Sequence, residues 1–222
     1  MSIHDLVANE QPENFLFSAE NEDKIAKIIA KYPEGKQASA VMPLLDLAQR
    51  QHDNWIPMKA IELIAERLGM AKIRVFEVAS FYTMYNLKPV GKYFLQLCGT
   101  TPCMLRGSDD LTRCIKDKLG ISSGEMTSDG KFSLLEVECL GACVNAPIIQ
   151  VNDDFYEDLE YDSTEKLIDA LSKDMPPPIG SVKMRSGSQA ETGPTSLQKM
   201  ATKPQKKKSE KTAGSPAEQS GN

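Results

Sequence analysis

The chain has 222 residues, of which 41% are hydrophobic and 26% are charged, and its formal net charge is −5. This length suits one or two domains with a sizeable core, and the near-average composition argues against a globally disordered protein. No uninterrupted apolar run reaches about 18 residues, so the sequence predicts no membrane span. The chain has two histidines and five cysteines. Those counts argue against a histidine-rich metal site and against a fully paired disulfide framework.

The charge is distributed unevenly along the chain. Residues 1–173 carry 18 Lys and Arg against 27 Asp and Glu, a net charge of −9, whereas residues 174–222 carry 8 against 4, a net charge of +4. The amino terminus has neither the basic start of a secretory signal nor the Arg-rich character of a transit peptide. We therefore expect a reducing compartment, in which cysteine clusters tend to bind metals or carry out redox chemistry.

The amino-terminal part of the chain predicts an arm followed by a helical bundle. We assign residues 1–17 to the arm. Within residues 18–88, apolar side chains recur at the spacing of one helix face in four segments, about 18–32, 39–52, 57–69 and 71–86. This pattern predicts a four-helix bundle, with the aromatic residues Phe81, Tyr82 and Tyr85 in its core.

Residues 89–174 predict a compact domain that contains strands. β-favouring stretches at about 92–97, 132–138 and 148–151, and one that starts at 155, indicate four strands. Helices are predicted at about 104–119 and from 162 onward. The order β-α-β-β-β-α is typical of a mixed sheet, so we expect an α+β protein.

The remaining residues, 175–222, predict a disordered basic tail. This segment begins with prolines 176–178, contains no aromatic residue and includes the basic cluster Lys206-Lys207-Lys208. It cannot bury enough apolar surface to offset the entropy lost on ordering. The lysines could make a weak electrostatic contact with lipid, nucleic acid or an acidic partner. We interpret them instead as part of a solvated tail and predict no nucleic-acid partner.

Four of the five cysteines form two pairs with short spacings. Cys98 and Cys103 are separated by four residues, and Cys139 and Cys143 by three. Each pair lies where a predicted strand ends and a loop begins. The fifth, Cys114, lies on the apolar face of a predicted helix, and we expect it to be a core residue.

Three kinds of chemistry remain compatible with these spacings. A [2Fe–2S] cluster needs four thiolates, two for each iron, and the small residues between the cysteines would let backbone amides approach the sulfurs. A structural zinc ion with four thiolates is the second possibility. Disulfide or dithiol chemistry is the third, although the spacings differ from C-x-x-C.

The sequence contains no signature of a nucleotide site. There is no G-x-G-x-x-G after a strand and no phosphate-binding lysine loop. We therefore expect no independent NADH site in this chain.

Three stretches carry a family resemblance that covers about residues 15–173. They are Ser80-Phe81-Tyr82-Thr83-Met84-Tyr85, Gln96-Leu97-Cys98-Gly99-Thr100-Thr101-Pro102-Cys103 and Glu138-Cys139-Leu140-Gly141-Ala142-Cys143-Val144-Asn145-Ala146-Pro147. Together they closely resemble the thioredoxin-like [2Fe–2S] subunits of respiratory complex I, the NADH:quinone oxidoreductase.

This resemblance implies more than the spacings do. It implies a helical bundle followed by a thioredoxin-like domain, with a [2Fe–2S] cluster on Cys98, Cys103, Cys139 and Cys143. The implied partners are the flavoprotein subunit that binds FMN and NADH and other subunits of the peripheral arm. The cluster would exchange one electron with the flavin, and the arm, through Phe15 and Phe17, would help to bind the partner.

The resemblance also implies a location and leaves alternatives. The implied location is the cytoplasmic side of a bacterial inner membrane, or the matrix side in a eukaryote. Similar subunits occur in NAD-linked hydrogenases and formate dehydrogenases, and a zinc-stabilised interaction module is an alternative of another class. We further expect the acidic body to lower the reduction potential of a bound cluster.

Overall fold

A computed structural model describes residues 6–190, 192–193 and 196 of the chain. It divides the chain into two units, Met1–Met184 and Arg185–Asn222. In the second unit the described residues form short turns, one of them closed by the Gln189 amide, which donates to the Ser186 carbonyl at 3.1 Å. Most of the predicted basic tail, including Lys206-Lys207-Lys208, lies outside the described residues.

Within the described residues, four α-helices of ten or more residues form the amino-terminal part of the first unit, as the sequence predicts. They are α1 (Ala19–Ile29), α2 (Val41–Gln51), α3 (Met58–Leu68) and α4 (Lys72–Phe81). The Ser18 hydroxyl accepts a hydrogen bond from the Asn21 amide at 3.2 Å and so caps the start of α1. Gly69 ends α3 in the left-handed conformation that glycine adopts without strain.

The helices pack around a core of aliphatic side chains. Its fully buried members from the four helices include Ile25, Leu44, Leu45, Ile61, Ile64 and Val75. Burial of one such side chain is worth roughly 1.5–3 kcal/mol, so this core stabilises the helical part.

The arm contributes its aromatic residues to the same core. Phe17 is buried, Phe15 packs partly buried against the cluster, and their ring centroids are 5.1 Å apart. Phe17 is therefore used inside the chain, and a role of the arm in binding a partner stays a prediction. Leu16, between them, is exposed instead.

The fourth helix is shorter than predicted. It ends at Phe81, because Tyr82 has extended backbone angles. Phe81 and Tyr82 are 77% and 41% exposed, so their predicted place in the core is wrong. Tyr85 is buried as predicted, and its hydroxyl donates to the Met42 carbonyl at 2.9 Å.

The second half of the unit is built on one mixed sheet. Its strands are β1 (Tyr93–Cys98), β2 (Phe132–Val137), β3 (Ile149–Val151), β4 (Asp154–Glu157) and β5 (Gly180–Ser181), in the spatial order β2-β1-β3-β4-β5. The pairs β1–β2 and β4–β5 are parallel, whereas β1–β3 and β3–β4 are antiparallel. The predicted mixed sheet and the α+β class are confirmed.

Three helices accompany the sheet: α5 (Thr101–Leu105), α6 (Ser108–Leu119) and α7 (Tyr161–Ser172). Side chains of α6 and α7 cover the sheet in a second core that includes Leu95, Leu111, Ile115, Ile149, Leu167 and Ile168. The predicted helix 104–119 is in fact two helices, because Gly107 lies between them at a φ of 99°. Across the described ranges, no helix combines the length and the apolar character needed to cross a membrane.

The sheet extends into the segment that we expected to be disordered. Tyr156 pairs with Gly180 and Glu157 with Ser181, so β5 forms an edge strand beyond the predicted boundary at 174. Prolines 176–178 exclude a helix there, but they are compatible with an extended chain at a sheet edge. The prediction that the tail begins at residue 175 is therefore wrong for its first residues.

Candidate metal centre

The two cysteine pairs lie at the same edge of the sheet. Cys98 is the last residue of β1, and Cys139 lies two residues beyond the end of β2. The two strands are parallel, and Cys98 is in register with Val137. Because neighbouring parallel strands end at the same edge, the loops that carry the two pairs begin side by side.

The first pair is buried. Cys98 closes β1, Cys103 lies in α5, and both side chains pack with Ala146 and Ile148 in a small apolar group. The Cys98 thiol lies 3.2 Å from the Thr100 hydroxyl oxygen. This pair is therefore screened from water and already has a polar partner in its own loop.

The second pair is more accessible. Cys139 is exposed and Cys143 is partly buried, and their sulfur atoms are 3.5 Å apart. Cys143 opens a short 3-10 turn, Cys143–Asn145, and Gly141 takes a φ of 84° between the two cysteines. The positive φ at Gly141 is the reason that a glycine suits this loop, since side chains are strained there.

Hydrogen bonds cross from one loop to the other. The backbone amide of Leu140 acts to lower the pKa of Cys98, and the backbone amide of Ile148 acts in the same direction on Cys103. The Thr100 hydroxyl also reaches the Cys139 sulfur. The four thiols therefore belong to one site with two cysteine pairs.

The site lowers the pKa of one thiol in each pair. Burial raises the pKa of Cys98, but hydrogen bonds from Thr100 and from the Leu140 amide outweigh it, so this pKa lies below its ordinary value. The Gly141 amide, followed by the Cys143 and Thr100 side chains, lowers the pKa of Cys139. Both groups favour the thiolate, which is the form that binds metals.

The other thiol of each pair has a raised pKa. Burial raises the pKa of Cys103 to about 12, and the neighbouring Cys98 adds to this effect. The pKa of Cys143 is raised because its thiol donates to Cys139, and burial contributes further. Binding of a metal at both thiols of a pair must therefore release protons.

The donor set fits a [2Fe–2S] cluster. Such a cluster takes four thiolates, two on each iron, and these four sulfurs are arranged as two pairs. Backbone amides of Leu140, Gly141 and Ile148 favour the thiolate form of the sulfurs that would carry negative charge. In the described part of the chain, no group of three or more His, Cys, Asp or Glu side chains is arranged to hold a single metal ion.

The structure adds one neighbour that the sequence did not indicate. A Cβ atom on Gly99 would lie 2.1 Å from Glu136 Oε1, so the glycine leaves space for this carboxylate beside the first loop. Glu136 lies in β2, far from Gly99 in sequence, and only the strand register could have located it here.

Cys114 has the structural place that the sequence predicts. It is completely buried on α6, among the side chains that cover the sheet. Its sulfur lies 3.5 Å from the Tyr161 carbonyl oxygen, and burial raises its pKa to about 11. It packs in the main sheet core, whereas Cys98 and Cys103 belong to a separate apolar group.

Comparison with known protein families agrees with this donor set. Residues 25–172 match the family described as thioredoxin-like [2Fe-2S] ferredoxin. Because the match covers well over half of the chain, the protein belongs to this family, and the cofactor of the family is a [2Fe–2S] cluster.

Two relatives illustrate where such chains occur. The E subunit of the NADH-quinone oxidoreductase of Rickettsia bellii is 55% identical over 166 residues, which cover 75% of this chain and 99% of the relative. The mitochondrial NADH dehydrogenase [ubiquinone] flavoprotein 2 of Dictyostelium discoideum is 49% identical over 189 residues, which cover 85% of this chain and 76% of the relative.

A solved structure shares the fold at low sequence identity. The match to an NAD+-reducing [NiFe]-hydrogenase in the air-oxidised state has a TM-score of 0.54 and 18% identity over 62% of this chain. The chain covers 23% of the length of that hydrogenase chain. This likeness concerns the fold alone.

The pKa differences predict an order of thiol reactivity in the cluster-free chain. Iodoacetamide should label Cys139 first, because this thiol is exposed and its pKa is lowered. It should label Cys103 and Cys114 last, because these thiols are buried and have pKa values of about 12 and about 11. Labelling of Cys139 should level off at a lower pH than that of an ordinary thiol.

Mass spectrometry of peptides from samples labelled between about pH 7 and pH 10 measures this order, a range that brackets the ordinary thiol pKa of about 8.5. The control is the same chain in urea, in which all five cysteines should react at similar rates. Equal labelling rates for Cys103 and Cys139 in the folded chain would contradict the predicted order of thiol reactivity.

Proposed function

We propose that this chain is the electron-transfer subunit of an NADH-quinone oxidoreductase that corresponds to the Rickettsia relative, and that Cys98, Cys103, Cys139 and Cys143 hold its [2Fe–2S] cluster. The observation that carries the proposal is the meeting of two cysteine pairs beyond parallel strands β1 and β2. The relatives indicate to which enzyme the subunit belongs, because their names place them in an NADH-quinone oxidoreductase and in an NADH dehydrogenase.

The residues around the thiols have definable roles in electron transfer. When bound, the cluster accepts and returns one electron without any bond chemistry on a substrate. Cys98 and Cys103 anchor one side in the apolar group with Ile148. Amide donors and the Thr100 hydroxyl stabilise negative charge on the sulfurs, which is one of the ways in which a protein sets the reduction potential.

The partner in this proposal is the flavoprotein subunit that binds FMN and NADH. The cysteine loops carry the exposed apolar side chains Met104, Leu105 and Val144. Apolar side chains at such a site are typical of a surface that a partner covers, and electron exchange needs the partner's cofactor close to the cluster. We place the docking surface for the flavoprotein on this rim, here defined as Met104, Leu105 and Val144.

The remaining organisation follows from this assignment. The arm and helical bundle, residues 1–88, offer exposed Leu16, Phe81 and Met84 to other subunits of the complex. Residues 89–184 form the cluster domain. The complex would place the chain on the NADH side of the membrane, which is the cytoplasm in bacteria and the matrix in mitochondria.

Spectroscopy of the anaerobically purified chain tests the cofactor and its ligands. We expect a brown protein whose reduced form gives a rhombic electron paramagnetic resonance signal. Serine at Cys98, Cys103, Cys139 or Cys143 should reduce cluster content severalfold or abolish it, because each thiolate is one of four ligands. The control Cys114→Ser should retain the cluster, since Cys114 lies in the sheet core.

A colourless protein with stoichiometric zinc would instead support the zinc-stabilised interaction module.

Reconstitution with a purified flavoprotein subunit shows which enzyme complex the chain belongs to. Electron exchange with the flavoprotein of a quinone reductase supports the proposal, whereas exchange only with that of a hydrogenase or formate dehydrogenase supports the related complexes.

The Thr100 hydroxyl provides a test of potential tuning. Thr100→Val removes a donor near Cys98 and Cys139, which disfavours the more negative reduced state. We expect the midpoint potential to fall by about 20–60 mV, given that one hydrogen bond is worth about 0.5–1.5 kcal/mol and that 59 mV is tenfold for one electron. Thr100→Ser keeps the hydroxyl and should stay close to wild type. A redox titration followed by electron paramagnetic resonance measures both variants, and equal potentials would refute this role.

The proposed docking surface predicts a local effect of charge. Leu105→Asp places a carboxylate on the rim, and burial of that charge in the interface should weaken flavoprotein binding at least about tenfold. The matched control is Met126→Asp. Met126 is 45% exposed, but it pairs with Ser133 at the end of β2 opposite to the cysteines. Binding is measured by titration calorimetry with both cluster contents verified. Equal weakening by the two variants would remove the rim from the proposal.

A further inference from the structure

The segment 177–184, here called the strap, makes a series of contacts with the strand next to the cysteine loop. The Tyr156 hydroxyl donates to the Pro177 carbonyl at 3.4 Å, and Gly180 and Ser181 pair with β4. The Val182 amide donates to the Glu157 carbonyl at 3.0 Å. The strap lies beyond residue 172, where the match to the family ends, so its role is not given by that match.

Ser181 links the strap to a buried carboxylate, that of Asp158. Its hydroxyl donates to Asp158 Oδ2 at 2.5 Å and accepts from the Lys183 amide at 3.1 Å. Asp158 is buried and has a φ of 56°, a conformation that few residues other than glycine adopt. A buried carboxylate needs hydrogen-bond donors, and the Ser181 hydroxyl is one of them.

The residues held by the strap also hold the loop that follows Cys143. The Asp158 amide donates to the Asn145 carbonyl at 2.7 Å, and the Leu159 amide donates to the Pro147 carbonyl at 3.2 Å. From the loop side, the Asn145 side-chain amide donates to Glu157 Oε2 at 2.6 Å. Glu157, Asp158 and Leu159 therefore connect the strap to residues 145–147.

This connection reaches the cysteine itself through backbone bonds. The Ala146 amide donates to the Cys143 carbonyl at 3.3 Å, and the Asn145 amide donates to the Ala142 carbonyl at 2.9 Å. A displacement of Asn145 would thus change the turn that presents Cys143. Backbone groups in a turn need hydrogen-bond partners, so these contacts help to determine its position.

We propose that the strap fixes the position of Cys143 through Glu157–Leu159, and that Ser181 is a positioning residue for the [2Fe–2S] cluster. The inference rests on the proposed function, because it assumes that Cys143 is a ligand. A loosened strap would admit water beside Cys143. Water stabilises the additional negative charge of the reduced state, so loosening should raise the midpoint potential.

The first experiment is amide hydrogen exchange on the full chain without cluster, comparing two disruptive variants with their matched controls. Ser181→Ala removes the hydroxyl and Val182→Pro removes the amide that donates to Glu157. Both should accelerate exchange at Asn145, Ala146 and Asp158 by about three- to tenfold, the value of one hydrogen bond. Ser181→Thr and Val182→Ala keep these groups and should stay within about twofold of wild type.

Exchange in helix α3, Met58–Leu68, shows whether the effect is local. Unchanged protection in α3 together with faster exchange at Asn145 supports positioning by the strap. Equal acceleration in α3 means a global loss of stability and overturns the inference. Unchanged exchange at Asn145 in both disruptive variants also overturns it.

The second experiment uses the cluster-loaded full chain. Ser181→Ala should raise the midpoint potential and alter the paramagnetic resonance line shape, and Ser181→Thr should restore both. If wild type binds no [2Fe–2S] cluster, the proposed function fails, while the exchange experiment still tests the contact between strap and loop. If wild type binds the cluster and Ser181→Ala leaves its potential and spectrum unchanged, the positioning inference alone fails.

Discussion

The parallel pairing of β1 with β2 is the constraint on which the site depends. Cys98 lies opposite Val137 in this register, so the loops that carry the two cysteine pairs leave the sheet together. A slip by one residue would turn every side chain of a strand to the other face and separate the pairs. Close approach at the other end of the pair reinforces this register. A Cβ atom on Gly91 would lie only 2.5 Å from the Phe132 carbonyl carbon, so a glycine is required there.

The site is asymmetric because one cysteine loop packs into the protein interior and the other faces outward. The short helix α5 packs Cys103 into an apolar group, whereas Cys139 stays exposed. With the proposed ligands, one side of the cluster would be anchored in the protein interior and the other would be within reach of a partner. This division suits an electron carrier, because the anchored side gives a fixed geometry and the open side permits a short distance to another cofactor.

The β3–β4 hairpin contacts the helical part at its turn and the cysteine loops at its base. At its turn, Arg50 from the helical part donates to Asp153 at 2.6 Å and also donates to Asp46. The contact with Arg50 holds the pKa of Asp153 below its usual range. At its base, Ser181 and Asp158 join the strap to the loop after Cys143. The ion pair is exposed and contributes at most about 1 kcal/mol to stability.

The sequence by itself determined the four amino-terminal helices, four of the five strands, the mixed sheet, the separation of Cys114 from the four paired cysteines and the family. The elements and the cysteine pairs follow from local periodicity and from spacing within short segments, whereas the family follows from the resemblance that three such segments carry. Only the tertiary structure decided that Phe81 and Tyr82 are exposed, that Phe15 and Phe17 pack inside the chain, that Glu136 lies beside Gly99 and that Ser181 contacts Asp158. Each of these depends on contacts between residues far apart in sequence, or on which face an irregular segment presents, and neither leaves a periodic signal in the sequence.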